Sequence, residues 1–178
     1  MVTTITLRPA GNGYSSMWPT QYPAYGYHWD KVDEETTDEN SSFISLGSSG
    51  EIVDLFYHGG YTGSGDITEV RLYVRGCNIG GSSSYSWWRG VLRIGSTNYY
   101  GTQYSYATVI PYTTWSWSWD TNPATGIAWR WTDIEALQFG IAAYNGNGGD
   151  TTRCTQVYIQ VDFEPKKGGC NVFSGAFF

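Results

Sequence analysis

The chain has 178 residues, enough for one domain that buries a sizeable core without disulfides or metals. Ten Lys and Arg against 16 Asp and Glu leave a net charge of −6, which argues against nucleic acid or an anionic membrane as the main partner. Only 15% of residues are charged and 17% are aromatic, with 9 Trp, 15 Tyr and 23 Gly, so the composition predicts an all-β, glycine-turned chain with an uncharged surface.

In chain order, Ile5 and Leu7 alternate with Thr4, Thr6 and Arg8, a first strand ending at Pro9. Residues 11–40 read as a long irregular stretch with Tyr14, Trp18, Tyr22, Tyr25 and Tyr27, followed by an acidic run. Residues 43–46 form a short strand. In the strand at 51–58, Val53, Leu55 and Tyr57 make a better core face than Ile52, Asp54, Phe56 and His58. The next strand places Val70, Leu72 and Val74 inward against Arg71, Tyr73 and Arg75. After a Gly/Ser loop, strands are expected at 87–94, around Tyr99 and Tyr100, and at 104–110 and 114–119. Two more follow at 138–144 and 155–163, the last with Val157, Ile159 and Val161 on one face. One helix of at most two turns is expected, capped by Thr132 with Glu135 three positions on. These elements make residues 1–164 a jelly-roll-like antiparallel β-sandwich with one short connecting helix. Residues 165–178 form a Gly-rich tail that ends in an apolar peptide.

No run approaches the roughly 18 apolar residues of a membrane-spanning helix, so no membrane insertion is expected. Residues 1–6 lack the basic and apolar regions of a secretory signal, and release within a virus particle is one other route to the outside. The three cysteines, Cys77, Cys154 and Cys170, match no zinc spacing. They read as buried thiols, with a Cys77–Cys154 bridge as the alternative.

Residues 120–140 contain Thr121-Asn122-Pro123-Ala124-Thr125-Gly126, Trp129, Asp133 and Ala136-Leu137-Gln138 before Gly140. This segment resembles one in β-sandwich proteins of tailed phages, prophages and some microbial surfaces. Leu7-Arg8-Pro9, Trp29 with Val32-Asp33-Glu34, and the closing residues 156–161 are similar to other parts of that family. The resemblance spans residues 3–163. It implies a non-enzymatic structural protein on a virion or other extracellular surface, a capsid decoration or tail-associated sandwich. Its partners would be other virion proteins or copies of itself. Locally, the same residues end a strand at Pro123, turn at Gly126 and anchor a crossing loop on Trp129 and Trp131.

The alternative function is a carbohydrate-binding or lectin-like surface domain that contacts cell-surface glycans. Trp115, Trp117 and Trp119 share one strand face, and exposed they would stack sugar rings. Buried, they fill the core, which fits Ser116 and Ser118 facing solvent. Trp87 and Trp88 point to opposite faces, so at least one leaves the main core. The apolar tail residues Val172, Phe173, Phe177 and Phe178 are expected to dock on a partner subunit or back on their own domain. Asp30, Asp33 and Asp38 are candidate Ca²⁺ ligands in the acidic run, against a plain solvated loop, and no other cofactor is expected. Nucleophile, metalloprotease and phosphate-loop motifs are missing, so no catalytic residue is assigned. Asp54, Glu51, Glu69 and Asp162 are the strand carboxylates from which a hydrolytic pair would have to come.

Overall fold

A computed structural model describes residues 1–47, 50–79, 86–106, 109–146 and 152–166. Twelve strands lie among them: β1 (Thr3–Leu7), β2 (Pro9–Ser16), β3 (Thr20–Tyr22), β4 (Phe43–Leu46), β5 (Gly50–His58), β6 (Asp66–Asn78), β7 (Ser86–Ile94), β8 (Thr97–Tyr100), β9 (Tyr104–Tyr106), β10 (Ile110–Trp119), β11 (Gln138–Asn145) and β12 (Thr152–Glu164). A 3-10 turn covers His28–Lys31, and helix α1 covers Trp131–Glu135.

The strands form two six-stranded antiparallel sheets. The first runs β10-β6-β12-β4-β3, with β1 paired to the later part of β12. The second runs β2-β5-β11-β7-β8, with β9 paired to the start of β7. The chain changes sheet from β4 to β5 to β6 to β7, and again from β10 to β11 to β12, so sequence neighbours face each other across one core. This is the expected jelly-roll-like sandwich.

The clean alternations behave as their period dictates. Val70, Leu72 and Val74 on β6 lie opposite Val161, Ile159 and Val157 on β12, and all six are fully buried. Phe56, Leu92, Phe139 and Ile141 meet them from the second sheet.

Three expectations are corrected. The core face of β5 is the reverse of the one the apolar count favours. Ile52 and Phe56 pack into the main core with Asp54 and His58 beside them, whereas Val53 and Leu55 face outward into a small second cluster and Tyr57 is exposed. The polar members of the inner face form hydrogen bonds with partners far along the chain. Asp54 Oδ1 accepts the Met17 and Trp18 N–H groups, and His58 Nε2 meets the Ile134 carbonyl at 2.7 Å.

Second, the stretch at 11–40 is not wholly irregular. It holds most of β2, β3 and the 3-10 turn. β2 is an edge strand, and between its pairings at Asn12 and Ser16 three residues, Gly13 to Ser15, stand against Leu55 alone, a bulge of two extra residues. Such a strand carries no apolar alternation to read. Third, the helix starts two residues earlier than expected. Arg130 is its N-cap, and the Asp133 carboxylate accepts the Arg130 N–H at 3.0 Å. Thr132 therefore lies inside the helix and caps nothing. The cysteine reading holds: Cys77 and Cys154 are both free and buried. Cys77 pairs with Arg153 in the β6–β12 register, so the adjacent Cys154 points to the opposite sheet face and no bridge can form.

Candidate functional site

The tryptophan row of β10 faces inward. Trp115, Trp117 and Trp119 lie opposite Val74, Leu72 and Val70, while Ser116 and Ser118 are exposed. Trp115 stacks on Trp88 with ring centres 4.9 Å apart. Trp88 is fully buried, and its indole N–H donates to the Tyr106 hydroxyl. Trp87 takes the other face of the second sheet, where it lies flat against Tyr144 at 5.8 Å with the Arg89 guanidinium 4.3 Å above its ring. The five tryptophans therefore do not form one exposed platform: Trp88, Trp115, Trp117 and Trp119 belong to the core side and Trp87 to the outer face.

Trp117 nevertheless reaches a cleft. β8 and β9 both pair with β7, and the link between them bends where Gly101 N–H donates to the Gly90 carbonyl at 2.9 Å. This edge of the second sheet meets β10, the edge strand of the first, whose one strand partner among the described residues is β6. The Trp117 indole N–H donates to the Thr102 carbonyl at 2.7 Å and ties the two edges together. The indole fits because its neighbours are glycines. A Cβ on Gly101 would come to 2.1 Å from the ring and one on Gly90 to 2.5 Å.

Between the edges lies a cleft of about 330 Å³. Trp117 is its floor and only 5% exposed. Tyr104 is 40% exposed and tilts over the indole with centres 5.5 Å apart. Tyr100 and Trp119 add aromatic wall, and Thr102, Ser116 and Ser118 add hydroxyls. Among the described residues, no carboxylate, imidazole or thiol lines it. A neutral ligand with an apolar face and several hydroxyls matches such a lining. Tyr100 and Tyr104 lie on expected strands, but only the meeting of the two sheet edges makes them neighbours of Trp117.

The carboxylates lie elsewhere, and each has a partner. Glu51 binds Arg89 at 3.0 Å, while Glu69 and Asp162 both bind Arg71. Asp54 is buried with its Oδ2 2.6 Å from His28 Nδ1. Ser16 Oγ lies 3.0 Å from that same Nδ1. One ring nitrogen serves both contacts, so Ser16, His28 and Asp54 lack the relay of a nucleophilic triad, which needs one nitrogen for each.

The acidic run does not gather Asp30, Asp33 and Asp38 at one point. Asp30 binds Lys31 at 2.9 Å, and Asp38 Oδ1 accepts the Ser42 and Thr155 hydroxyls at 3.2 and 3.3 Å. Burial pushes the Asp33 carboxyl up. Burial also pushes Glu34 up to about 7, opposed by the Ser42 hydrogen bond and reinforced by Asp38 and Asp33. Among the described residues, no three His, Cys, Asp or Glu side chains are placed to hold a metal ion. Cys170 and the tail residues Val172, Phe173, Phe177 and Phe178 lie outside the described residues.

No family model and no curated protein matches the chain. Solved structures do. A family 16 carbohydrate-binding module-2 aligns with 10% identity over 68% of this chain and 78% of its own, at a TM-score of 0.39. A cyclase from Fischerella sp. TAU aligns with 15% identity over 93% and 89%, at 0.48. A Stig cyclase structure from the same organism aligns with 13% identity over 92% and 86%, at 0.45. These are likenesses of fold, and they assign no ligand.

Proposed function

We propose that the protein is a non-enzymatic attachment domain of a virion or other extracellular surface, and that it binds a neutral glycan in the edge cleft. One observation carries the reading: the cleft joins aromatic faces to hydroxyls and has no carboxylate, imidazole or thiol in its lining. A pyranose ring offers an apolar C–H face, which an exposed tyrosine takes up at little entropic cost. Its hydroxyls suit Ser116, Ser118 and Thr102, and the backbone groups along the free edge of β10 extend that pattern. At about 330 Å³ the cleft is at the small end of the ~300–1,000 Å³ usual for small-molecule sites, which fits a short sugar end rather than a long chain. The paired strand carboxylates support the non-enzymatic part, since glycoside hydrolysis needs two acids free to face one bond.

The test is a screen of neutral oligosaccharides, followed by calorimetry on wild type and Tyr104→Ala. Binding should be weakened up to about tenfold in the variant, the size of one aromatic contact of ~0.5–1.5 kcal/mol. Tryptophan fluorescence should report the event through Trp117. No binding to any neutral glycan at millimolar concentration, or binding indifferent to Tyr104, would refute the proposal.

A further inference from the structure

The geometry points to a second, independent site on the outer face of the first sheet, built to take a carboxylate-bearing sugar of the uronic acid type. The site lies on β3, β4 and β12, at the opposite edge of that sheet from β10. Tyr22 and Phe43 are register partners on β3 and β4, and their rings stack with centres 5.5 Å apart and planes 21° from parallel. Arg153 on β12 leans over this pair, its guanidinium carbon 4.2 Å from the centre of the Phe43 ring. Arg153 Nη1 donates to Asn40 Oδ1 at 2.9 Å, and the Tyr112 hydroxyl donates to the same oxygen at 3.1 Å. Together Tyr22, Asn40, Phe43 and Arg153 bound a cleft of about 280 Å³.

Two features make this a binding site rather than a packed surface. The guanidinium is held in advance, by a ring beneath it and an amide beside it, so a ligand would not have to immobilise a free arginine. Its charge is also unspent. Arg71, Arg75 and Arg89 each have a carboxylate within ion-pair distance, but among the described residues Arg153 has none, in a chain with six more acids than bases. Glu39, next to Asn40 in the chain, is held by Arg75 and does not compete.

The ring stack selects what the carboxylate is attached to. Tyr22 is 53% exposed, so its free face can receive the apolar side of a sugar ring while Arg153 takes the acid group. A simple carboxylate would use only half of the site. The neutral edge cleft lacks any cation and would not distinguish the acid from the alcohol. The two sites therefore fail or succeed separately.

The experiment titrates the full chain with oligoglucuronate and oligogalacturonate, with their neutral counterparts, and with acetate. The variants are Arg153→Gln, Tyr22→Ala and Tyr104→Ala. Wild type should bind a uronate oligomer at least tenfold more tightly than the neutral counterpart, and added salt should weaken the binding. Arg153→Gln should abolish that preference and Tyr22→Ala should weaken uronate binding, while Tyr104→Ala weakens only the neutral counterpart and keeps uronate binding through Arg153. Tyr22 is exposed, so its variant decides the matter if Arg153→Gln fails to fold. Any of three results overturns the inference: no uronate preference in wild type, acetate binding as tight as the oligomer, or uronate binding lost in Tyr104→Ala but kept in Arg153→Gln.

Discussion

Replacing Asp54 with alanine removes the acceptor on which three groups converge. Its Oδ1 takes the backbone N–H of Met17 and that of Trp18, the latter at 3.0 Å, and its Oδ2 meets His28 Nδ1 at 2.6 Å. The carboxylate and Trp18 are both buried, so the Trp18 N–H has no route to water once the acceptor is gone. An orphaned buried donor costs about 1–3 kcal/mol, and a hydrogen bond to a charged group is worth about 1.5–3 kcal/mol. Asp54→Ala should therefore lose about 3–5 kcal/mol, a large share of the ~5–15 kcal/mol that holds a domain folded. Asp54→Asn is the informative control. Its amide oxygen still accepts both N–H groups, and only the charge opposite His28 is lost, so its cost should be about 1–2 kcal/mol. Urea unfolding at constant pH measures both, with unchanged slopes as evidence that only stability moved. If Asp54→Ala falls within about 1 kcal/mol of wild type, or costs no more than Asp54→Asn, then Asp54 does not tie the 16–28 segment to β5.

Three further outcomes are expected. Leu72 is fully buried between the sheets, so Leu72→Ala should cost about 2–5 kcal/mol by the same urea titration. Asp133→Ala should cost about 0.5–2 kcal/mol through the lost bond to Arg130 N–H, whereas Thr132→Ala should change the melting temperature little; the reverse order would return the cap to Thr132. Glu34, raised from its ordinary 4.5 to about 7, gives a pH dependence of defined sign. Between those values the folded protein keeps a proton that the unfolded chain has released. The contribution is thus complete below about pH 4.5 and is lost as pH rises through about 7. The melting temperature should fall across this window in wild type, and less steeply in Glu34→Gln.

Local sequence determined the sheets wherever burial follows a period of two. Val70, Leu72 and Val74 and their partners on β12 were legible because one face of each strand is apolar and the other is polar. It also determined that Trp87 and Trp88 must part, since strand geometry alone sends neighbours to opposite faces. Tertiary structure decided what periodicity could not rank. On β5, the face with Asp54 and His58 is the buried one because Met17, Trp18, His28 and Ile134, all remote in sequence, supply the hydrogen bonds that make those polar groups tolerable inside. The candidate sites are of the same kind. Trp117 meets Tyr104 only where an edge of each sheet closes on the other, and Arg153 meets Asn40 only where the acidic loop crosses the outer sheet face. A strand pattern records which side of a strand is dry, but a cleft is formed by chain segments whose separation in sequence carries no trace of their approach.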